Sequence, residues 1–291
     1  MTRIAFGTAQ RGWLNTLGQI GSALGRSLSH LAAGKRVTSA ADDGGAAARI
    51  AALNEDLARL DARRRAIGIG RGFLGVTDAA LASAQDLLNS AITEAVKGAS
   101  GTNAHVRGEI ATQVDALREQ MIFLARSRYQ DRYIFSGTET LTVPFDAAGV
   151  YQGDGGSIRA QVDDQLAVVL NVPGDRVFRS GVDILGTLGD LSVALRAGDE
   201  AAIRTAETDL RSGVDQVAAV RASVGARLWS LEAADENLLA REVTLRDELG
   251  RLEDADIPAE ETRAVRLQTA SQATMTIIAR QGNRSLFDYY V

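Results

Sequence analysis

The chain has 291 residues, of which 45% are hydrophobic and only 5% aromatic, and its formal net charge is −5. It contains no cysteine and only two histidines, which excludes disulfides, thiolate chemistry and a multi-histidine metal site. The negative balance argues against a general nucleic-acid binder, and no run approaches the roughly 20 consecutive apolar residues that span a bilayer.

The first segment is basic and amphipathic. Residues 1–41 carry five basic residues and no acidic one, and residues 4–31 show the three-and-four spacing of an amphipathic helix. Its apolar residues are Trp13, Leu17, Ile20, Leu24, Leu28 and Leu31. Five glycines interrupt this helix, and each costs about 0.5–1 kcal/mol relative to alanine. We therefore expect a helix that is marginal on its own, with Gly34 as its C-terminal cap. Such an arm can imitate a mitochondrial transit peptide.

Two ladders of apolar residues, each repeating every seven positions, follow this segment. The first is Leu53, Leu60, Ile67, Leu74, Leu81, Leu88 and Ala95, and the second is Ile203, Leu210, Val217, Val224, Leu231, Leu238, Leu245 and Leu252. The repeat is typical of coiled-coil packing and predicts helices over 45–97 and 199–252, each about 80 Å long. Because a second seam position is polar at Arg64, Arg71, Asp78 and Gln85, we expect the ladders to pack on each other within one chain rather than to form a free homodimer.

The section between the ladders has a different composition. A third helix is predicted from about residue 104 to 128. Residues 131–181 then contain two of the three prolines and several glycines, which predicts a small β-rich insert. Its strands are expected near 133–135, 150–151, 158–162 and 166–172, with Asp154-Gly155 as a hairpin turn. A short helix over 184–195, capped by Gly198, precedes the second ladder, and Pro258 suits the first turn of a last helix.

Three motifs invite a chemical interpretation, and each has a simpler one. Residues 70–75 have the glycine spacing of a dinucleotide-binding turn, but they lie inside the first ladder with no strand before them, which favours close helix contact or a bend. Residues 151–156 resemble a calcium loop but offer only Asp154 as an acidic ligand. The acids at 253–261 suit a carboxylate pair, a solvated turn, or attraction to the basic N-terminal segment. No catalytic, cofactor or metal constellation emerges, so we expect a structural protein and not an enzyme.

The two ends and the insert carry a resemblance. Residues 31–43 read LAAGKRVTSAADD, and residues 279–281 and 285–290 read ARQ and SLFDYY. These stretches resemble the terminal signatures of bacterial flagellins. The insert reads RYIFSGT at 132–138, VYQGDGG at 150–156 and NVPGD at 171–175, and this series is similar to the flagellar hook-associated protein 3 family.

The resemblance implies a structural subunit of the bacterial flagellum that forms a ring at the hook–filament junction. Its implied partners are the first hook-associated protein, flagellin, further copies of itself, a chaperone on the C-terminal helices and the flagellar type III export apparatus. Its implied location is extracellular, after a transient cytoplasmic stage. The implied assembly interfaces are the N-terminal residues Trp13 to Leu31 named above and, on the C-terminal arm, Leu267, Met275, Ile278, Leu286, Phe287 and Tyr290. The basic N-terminus is then an uncleaved, export-competent arm.

The expected fold is mainly α, a long coiled-coil-like bundle built from both halves of the chain with a β-rich insert between them. The expected domains are an N-terminal inner-tube helix and linker (1–43), rod helices (44–130), an outer insert (131–181), further rod helices (182–253) and a C-terminal inner-tube helix (254–291). Two alternatives stay open: a filament flagellin with an unusual insert, or a coiled-coil scaffold of a different class.

Overall fold

The computed structural model describes residues 2–163 and 166–282, and the side chains of residues 11–163 and 166–280. The α-helices in this part of the chain are α1 (Thr2–Ala33), α2 (Gly44–Ala99), α3 (Arg107–Ala125), α4 (Gly174–Phe178), α5 (Ile184–Ala197), α6 (Glu200–Glu253) and α7 (Ile257–Gly282). A 3₁₀ helix, Gly101–Val106, precedes α3. The strands are β1 (Arg128–Tyr129), β2 (Arg132–Tyr133), β3 (Arg159–Gln161) and β4 (Ala167–Val169). The mainly α fold expected from the sequence is confirmed.

The long helices begin and end where local chemistry places their caps. Helix α2 begins one residue before its predicted range and ends two residues after it, whereas α6 begins and ends one residue later than predicted. Gly34 and Gly198 follow α1 and α5 with φ of +68° and +72°, a left-handed conformation that favours glycine and ends a helix. The side chains of Asp199 and Asp256 accept from the backbone N–H of Ala202 and Ala259, so each acid caps the start of the next helix.

The chain forms two compact units. One is drawn from both ends of the chain, up to Arg59 and from Arg241, and the other is Leu60–Ala240. The boundaries fall within α2 and α6. In the first unit, which we call the terminal unit, α1 packs against α7. Ser27 near the end of α1 bonds Glu260 in the first turn of α7, so the two helices run antiparallel.

The ladder residues form the apolar seam of α2 and α6. From Leu53 to Ala95 all seven members of the first ladder are buried, and the second ladder is buried from Ile203 to Leu238. Leu245 and Leu252 are half-buried. Burial of one such side chain contributes about 1.5–3 kcal/mol, so this seam is the main source of cohesion in the long helices.

The larger unit, Leu60–Ala240, also holds α3, α5 and the insert. Helix α3 packs on α5, and the buried Arg107 donates from Nε to the carbonyl of Gly98 at 2.8 Å and from Nη2 to Glu200 at 2.7 Å. That one side chain therefore ties the end of α2 to the start of α6.

The insert is less regular than predicted, because its two hairpins account for only ten residues of strand. The β1–β2 hairpin begins at Arg128, before the predicted boundary, and turns at Gln130-Asp131 with φ of +48° and +62°. Strands β3 and β4 pair with each other, and backbone hydrogen bonds join Asp163 to Leu166 beyond them. Asp154-Gly155 connects no such pair of strands, so the prediction of a hairpin turn there was wrong.

Side-chain hydrogen bonds and aromatic contacts, more than strand pairing, hold the insert together. Asp154 accepts from the backbone N–H of Thr138 at 2.5 Å, which explains why it does not turn a hairpin. The buried Asn171 donates to the carbonyls of Gly137 and Gly156 and accepts from Ile158 N–H. Phe178 meets Phe135 and Phe145 edge to face, with ring centroids 5.5 and 5.4 Å apart. A few buried groups thus hold a segment that has little regular hydrogen bonding of its own.

Candidate functional site

The polar seam of α2 is satisfied within the chain. Arg64 Nε lies 3.0 Å from Asp235 Oδ1, and Arg71 Nη2 lies 3.6 Å from Glu232 Oε1. Asp78 and Gln85 share one partner on α6: Arg221 donates from Nε to Asp78 at 2.9 Å and from Nη1 to Gln85 at 3.2 Å. All four polar positions that interrupt the predicted coiled-coil seam therefore face a partner on α6. Because Arg64 pairs with Asp235 and the later Asp78 with the earlier Arg221, the two helices run antiparallel.

The charges along this seam reinforce one another. Hydrogen bonding to Asp78, together with its negative charge, raises the pKa of Arg221 above its usual value. These ion pairs are partly exposed, so each contributes little to the free energy of unfolding. Each pair can form, however, in only one register of α2 against α6. The ladder surfaces are thus packed against each other within the chain.

The glycines of the dinucleotide-like motif serve helix packing. Gly70 and Gly72 lie inside α2 with no preceding strand. A Cβ at Gly70 would stand 2.6 Å from Leu170 Cδ2, and one at Gly72 would meet the hydroxyl of Tyr129. Both glycines let residues of the insert lie directly against the helix backbone, as the close-contact interpretation expects.

The acidic turn between α6 and α7 meets the basic N-terminal segment. Lys35 Nζ lies 2.6 Å from Glu253 Oε1, and Arg36 donates from its backbone N–H to the Glu253 carbonyl and from Nη2 to the Leu252 carbonyl. Ser27 Oγ donates to Glu260 at 2.6 Å, and this bond is the main reason why the pKa of Glu260 is lowered. The sequence allowed three interpretations of the acids at 253–261: a carboxylate pair, a solvated turn, or attraction to the N-terminal segment. The contacts of Glu253 and Glu260 agree with the third.

The inner seam of α1 faces α7. Trp13, Leu17, Ile20, Leu24 and Leu31 are half-buried. Leu28 is 52% exposed and Ser27 is buried in its place, so Leu28 does not share the inner seam as the apolar pattern suggested. The reason is the helical period: positions 13, 17, 20, 24, 27 and 31 keep one face, whereas position 28 rotates about 100° from position 27.

Leu28 belongs instead to a second seam on the flank of α1. Six exposed residues share it at spacings of four and three, and we call them the outer seam: Leu14, Gly18, Gly21, Gly25, Leu28 and Ala32. A Cβ added at any of its three glycines would meet nothing within 4 Å. Nothing among the described residues of the terminal unit therefore requires glycine at these positions.

The C-terminal arm divides in the same way. On α7, Leu267 and Ile278 are half-buried, whereas Met275 is 54% exposed, together with Val265 at 58% and Ile277 at 39%. The predicted interface residues Leu286, Phe287 and Tyr290 lie outside the described residues. The terminal unit thus presents exposed apolar side chains on both of its paired helices.

The described part of the chain offers no metal-binding group of three or more histidine, aspartate or glutamate side chains. The carboxylate of Asp154, the one acid in the calcium-like loop, is taken by the N–H and hydroxyl of Thr138, and these bonds lower its pKa. No helix within the described ranges is both long and apolar enough to span a membrane.

Comparisons with known proteins agree with this architecture. The chain matches the family model for the bacterial flagellin N-terminal helical region over residues 8–140 and that for the C-terminal helical region over residues 209–289, together nearly three quarters of its length. The flagellar hook-associated protein 3 of Escherichia coli (strain K12) and that of Salmonella typhimurium are each 27% identical to it over 284 residues, covering 88% of this chain and 90% of theirs. The solved structure of flagellar hook-associated protein 3 from Legionella pneumophila shares its fold, with a TM-score of 0.63 at 15% identity over 70% of this chain and 98% of that one.

Proposed function

Because the chain belongs to the flagellin superfamily, and within it to the flagellar hook-associated protein 3 family, we propose that it is the subunit that joins the hook to the flagellin filament. Its relatives are structural flagellar proteins, and the chain is a structural protein rather than an enzyme. The proposed partners are the first hook-associated protein on the hook side, flagellin on the filament side, and further copies of this chain within a ring.

The outer seam of α1 is the observation that carries this proposal. Each glycine inside a helix costs about 0.5–1 kcal/mol relative to alanine. Gly18, Gly21 and Gly25 have open space where a side chain would stand, so their absent side chains relieve no clash within the terminal unit. A neighbouring helix that packs closely in the assembled structure explains why they are glycines, with Leu14 and Leu28 as its apolar contacts.

The remaining parts of the proposal concern delivery and order of assembly. Exposed Val265, Met275 and Ile277 on α7 suit a chaperone that covers the C-terminal helices before export through the flagellar type III apparatus. The subunit would then be cytoplasmic only in transit and extracellular in the flagellum. Because the apolar ladders are buried within the chain, the subunit should stay monomeric until its terminal helices contact neighbouring subunits.

The experiment places a leucine in the outer seam and compares it with a leucine elsewhere on the surface. Gly21→Leu adds a side chain in the outer seam, and Gly225→Leu adds the same side chain on α6, where a Cβ also meets nothing within 4 Å. Both should keep or raise the unfolding temperature, because leucine is the better helix former. Only Gly21→Leu should leave cells with hooks but without attached filaments. Normal filaments on Gly21→Leu cells would contradict the proposal.

A filament flagellin is the closest rival, because both family models are named for flagellin helical regions. Immunolabelling separates the two functions, since a junction subunit should mark a short zone at the hook tip. Label along the whole filament would favour the flagellin. For the coiled-coil scaffold, light scattering decides: purified protein should be monomeric, and a stable parallel dimer would support the scaffold.

A further inference from the structure

A small pocket opens where the insert meets α2, inside the unit Leu60–Ala240. Its volume is about 290 Å³, at the small end of the range of roughly 300–1,000 Å³ in which ligand sites fall. Most of its lining is apolar and comes from Ile69, Phe73, Tyr129, Ile158 and Leu170. None of these residues belongs to the ladders or to the terminal helices, so the proposed junction function leaves this pocket without a role.

Two glycines of α2 set the walls of the pocket. Leu170 lies directly over Gly70 and the hydroxyl of Tyr129 directly over Gly72. On the helix, Ile69 and the phenylalanine one turn later fall between those two positions, so they form the floor between the two walls. Ile69 remains 55% exposed, which leaves a large apolar side chain open at the edge. The fold itself therefore shapes an apolar recess with room for a further group.

One buried hydroxyl in the lining has no partner in the protein. Thr140 lines the pocket and is 6% exposed. Its backbone N–H donates to the carbonyl of Thr138, and its carbonyl accepts from the N–H of Tyr133, but within the described ranges its hydroxyl makes no hydrogen bond. A buried hydroxyl without a partner costs free energy. The partner of this hydroxyl must therefore come from the contents of the pocket.

A free guanidinium stands beside this recess. Arg132 also lines the pocket and is exposed. It lies directly opposite Tyr129 in the β1–β2 pair, so both side chains project from the same face of the hairpin. The nearby acids Asp131 and Glu139 are exposed, and in the part of the chain that the structure describes neither forms an ion pair with Arg132. A guanidinium without an anion is well suited to bind a carboxylate through charge-assisted hydrogen bonds.

We propose that this pocket binds a small apolar carboxylate. The apolar body would lie on the floor at Ile69, the carboxylate would accept from Arg132, and the hydroxyl of Thr140 would bond the same ligand. A cavity of roughly 150 Å³ holds benzene, so the pocket has room for one aromatic or branched aliphatic group on a short chain. A free molecule and the last residue of a polypeptide both present this chemistry. The proposal is independent of the junction function.

Phenylpropionate, one aromatic ring on a short carboxylate chain, is the probe, and phenylpropanol is its neutral counterpart. When the full-length chain is titrated with millimolar phenylpropionate, the NMR amide signals of Ile69, Tyr129 and Thr140 should shift together. Phenylpropanol should bind at least about tenfold more weakly, because it cannot form the charge-assisted bond. N-acetylglycylphenylalanine carries the same ring and carboxylate at a chain end. Tighter binding of this peptide would identify a polypeptide end as the ligand, and tighter binding of phenylpropionate a free molecule.

Three variants test the two polar groups. Arg132→Gln should make phenylpropionate and phenylpropanol bind alike, whereas Arg204→Gln, which changes an exposed arginine of α6 outside the pocket, should keep the preference for the acid. Thr140→Val keeps the shape of the side chain and should weaken both probes several-fold. If Thr140→Val does not fold, the exposed Arg132→Gln decides alone. Amide shifts that avoid the pocket, or a preference for the acid that survives Arg132→Gln, would overturn the proposal.

Discussion

The guanidinium of Arg221 on α6 lies against the carboxylate of Asp78 on α2, with Nε and Oδ1 2.9 Å apart. The pair crosses the seam between two helices whose apolar ladders repeat every seven residues, where a shift of one heptad would keep the apolar contacts but separate the charges. The polar positions therefore specify the register of α2 against α6, as interhelical polar contacts do in coiled coils.

The first prediction concerns this register. Arg221→Asp places two acids opposite each other and should lower the free energy of unfolding, and the additional change Asp78→Arg should recover most of the loss. Urea unfolding of the two single variants and the double variant measures the coupling. The coupling should weaken in high salt, because the pair is partly exposed. Additive effects of the two changes would show that the pair does not set the register.

The second prediction tests the apolar seam with one kind of substitution at two sites on α6. Leu231→Ala removes a side chain that is 0% exposed and should cost about 2–5 kcal/mol of unfolding free energy. Leu239→Ala removes the same atoms from a position that is 48% exposed and should cost less than about 1 kcal/mol. Chemical denaturation decides, and equal losses would mean that the ladder is not the core.

Gly70 and Gly75 should respond to alanine with opposite signs. At Gly70 the new methyl group would meet Leu170 and Leu231, whereas at Gly75 it meets nothing within 4 Å. Gly70→Ala should destabilise the chain by about 1–3 kcal/mol through overpacking. Gly75→Ala should stabilise it by up to about 1 kcal/mol through helix propensity. A stabilised Gly70→Ala variant would refute close approach as the role of this glycine.

The turn at residues 38–42 should resist acid. Its bonds to Thr38 and Ser39 lower the pKa of Asp42 from 3.8 to about 2, so the charged form stabilises the folded turn. That contribution is complete above about pH 4 and is lost as the pH falls through about 2. The backbone amide shifts of Thr38 and Ser39 in an NMR titration should change near pH 2. A midpoint close to 4 would indicate that the carboxylate is not bound there.

Removing residues 280–291 should separate folding from assembly. The ladders do not include this segment, so circular dichroism should still show the long helices of the shortened chain. Filament attachment should be lost, because the deletion takes away Leu286, Phe287 and Tyr290 of the proposed C-terminal interface. Cells that still build attached filaments with the shortened chain would disprove that assignment.

The sequence alone predicted the long helices, because an apolar residue at every seventh position over about fifty residues is a local pattern that only a long helix explains. Leu53 to Ala95 and Ile203 to Leu252 predicted the ranges of α2 and α6 to within two residues. The helix ends at Gly34 and Gly198, and Pro258 in the first turn of α7, depend on backbone preferences of single residues, so the sequence predicted them without knowledge of any packing partner. The polar residues Arg64 to Gln85 indicated that the two ladders meet within one chain.

Tertiary structure decided the rest, since those features depend on residues that are distant in sequence. Asp154 has the local sequence of a turn residue, but its carboxylate accepts a hydrogen bond from the N–H of Thr138. No local sequence pattern predicts that contact. The β1–β2 turn at Gln130-Asp131 lacks the usual asparagine–glycine signal. On α1 the helical period leaves room for either Ser27 or Leu28 near the inner seam, and the structure buries Ser27 there, where it donates to Glu260 on α7. His30 lies 3.9 Å from the carboxylate of Asp42 and 3.8 Å from that of Glu260, and the second contact, 230 residues further along the chain, forms only because α1 pairs with α7.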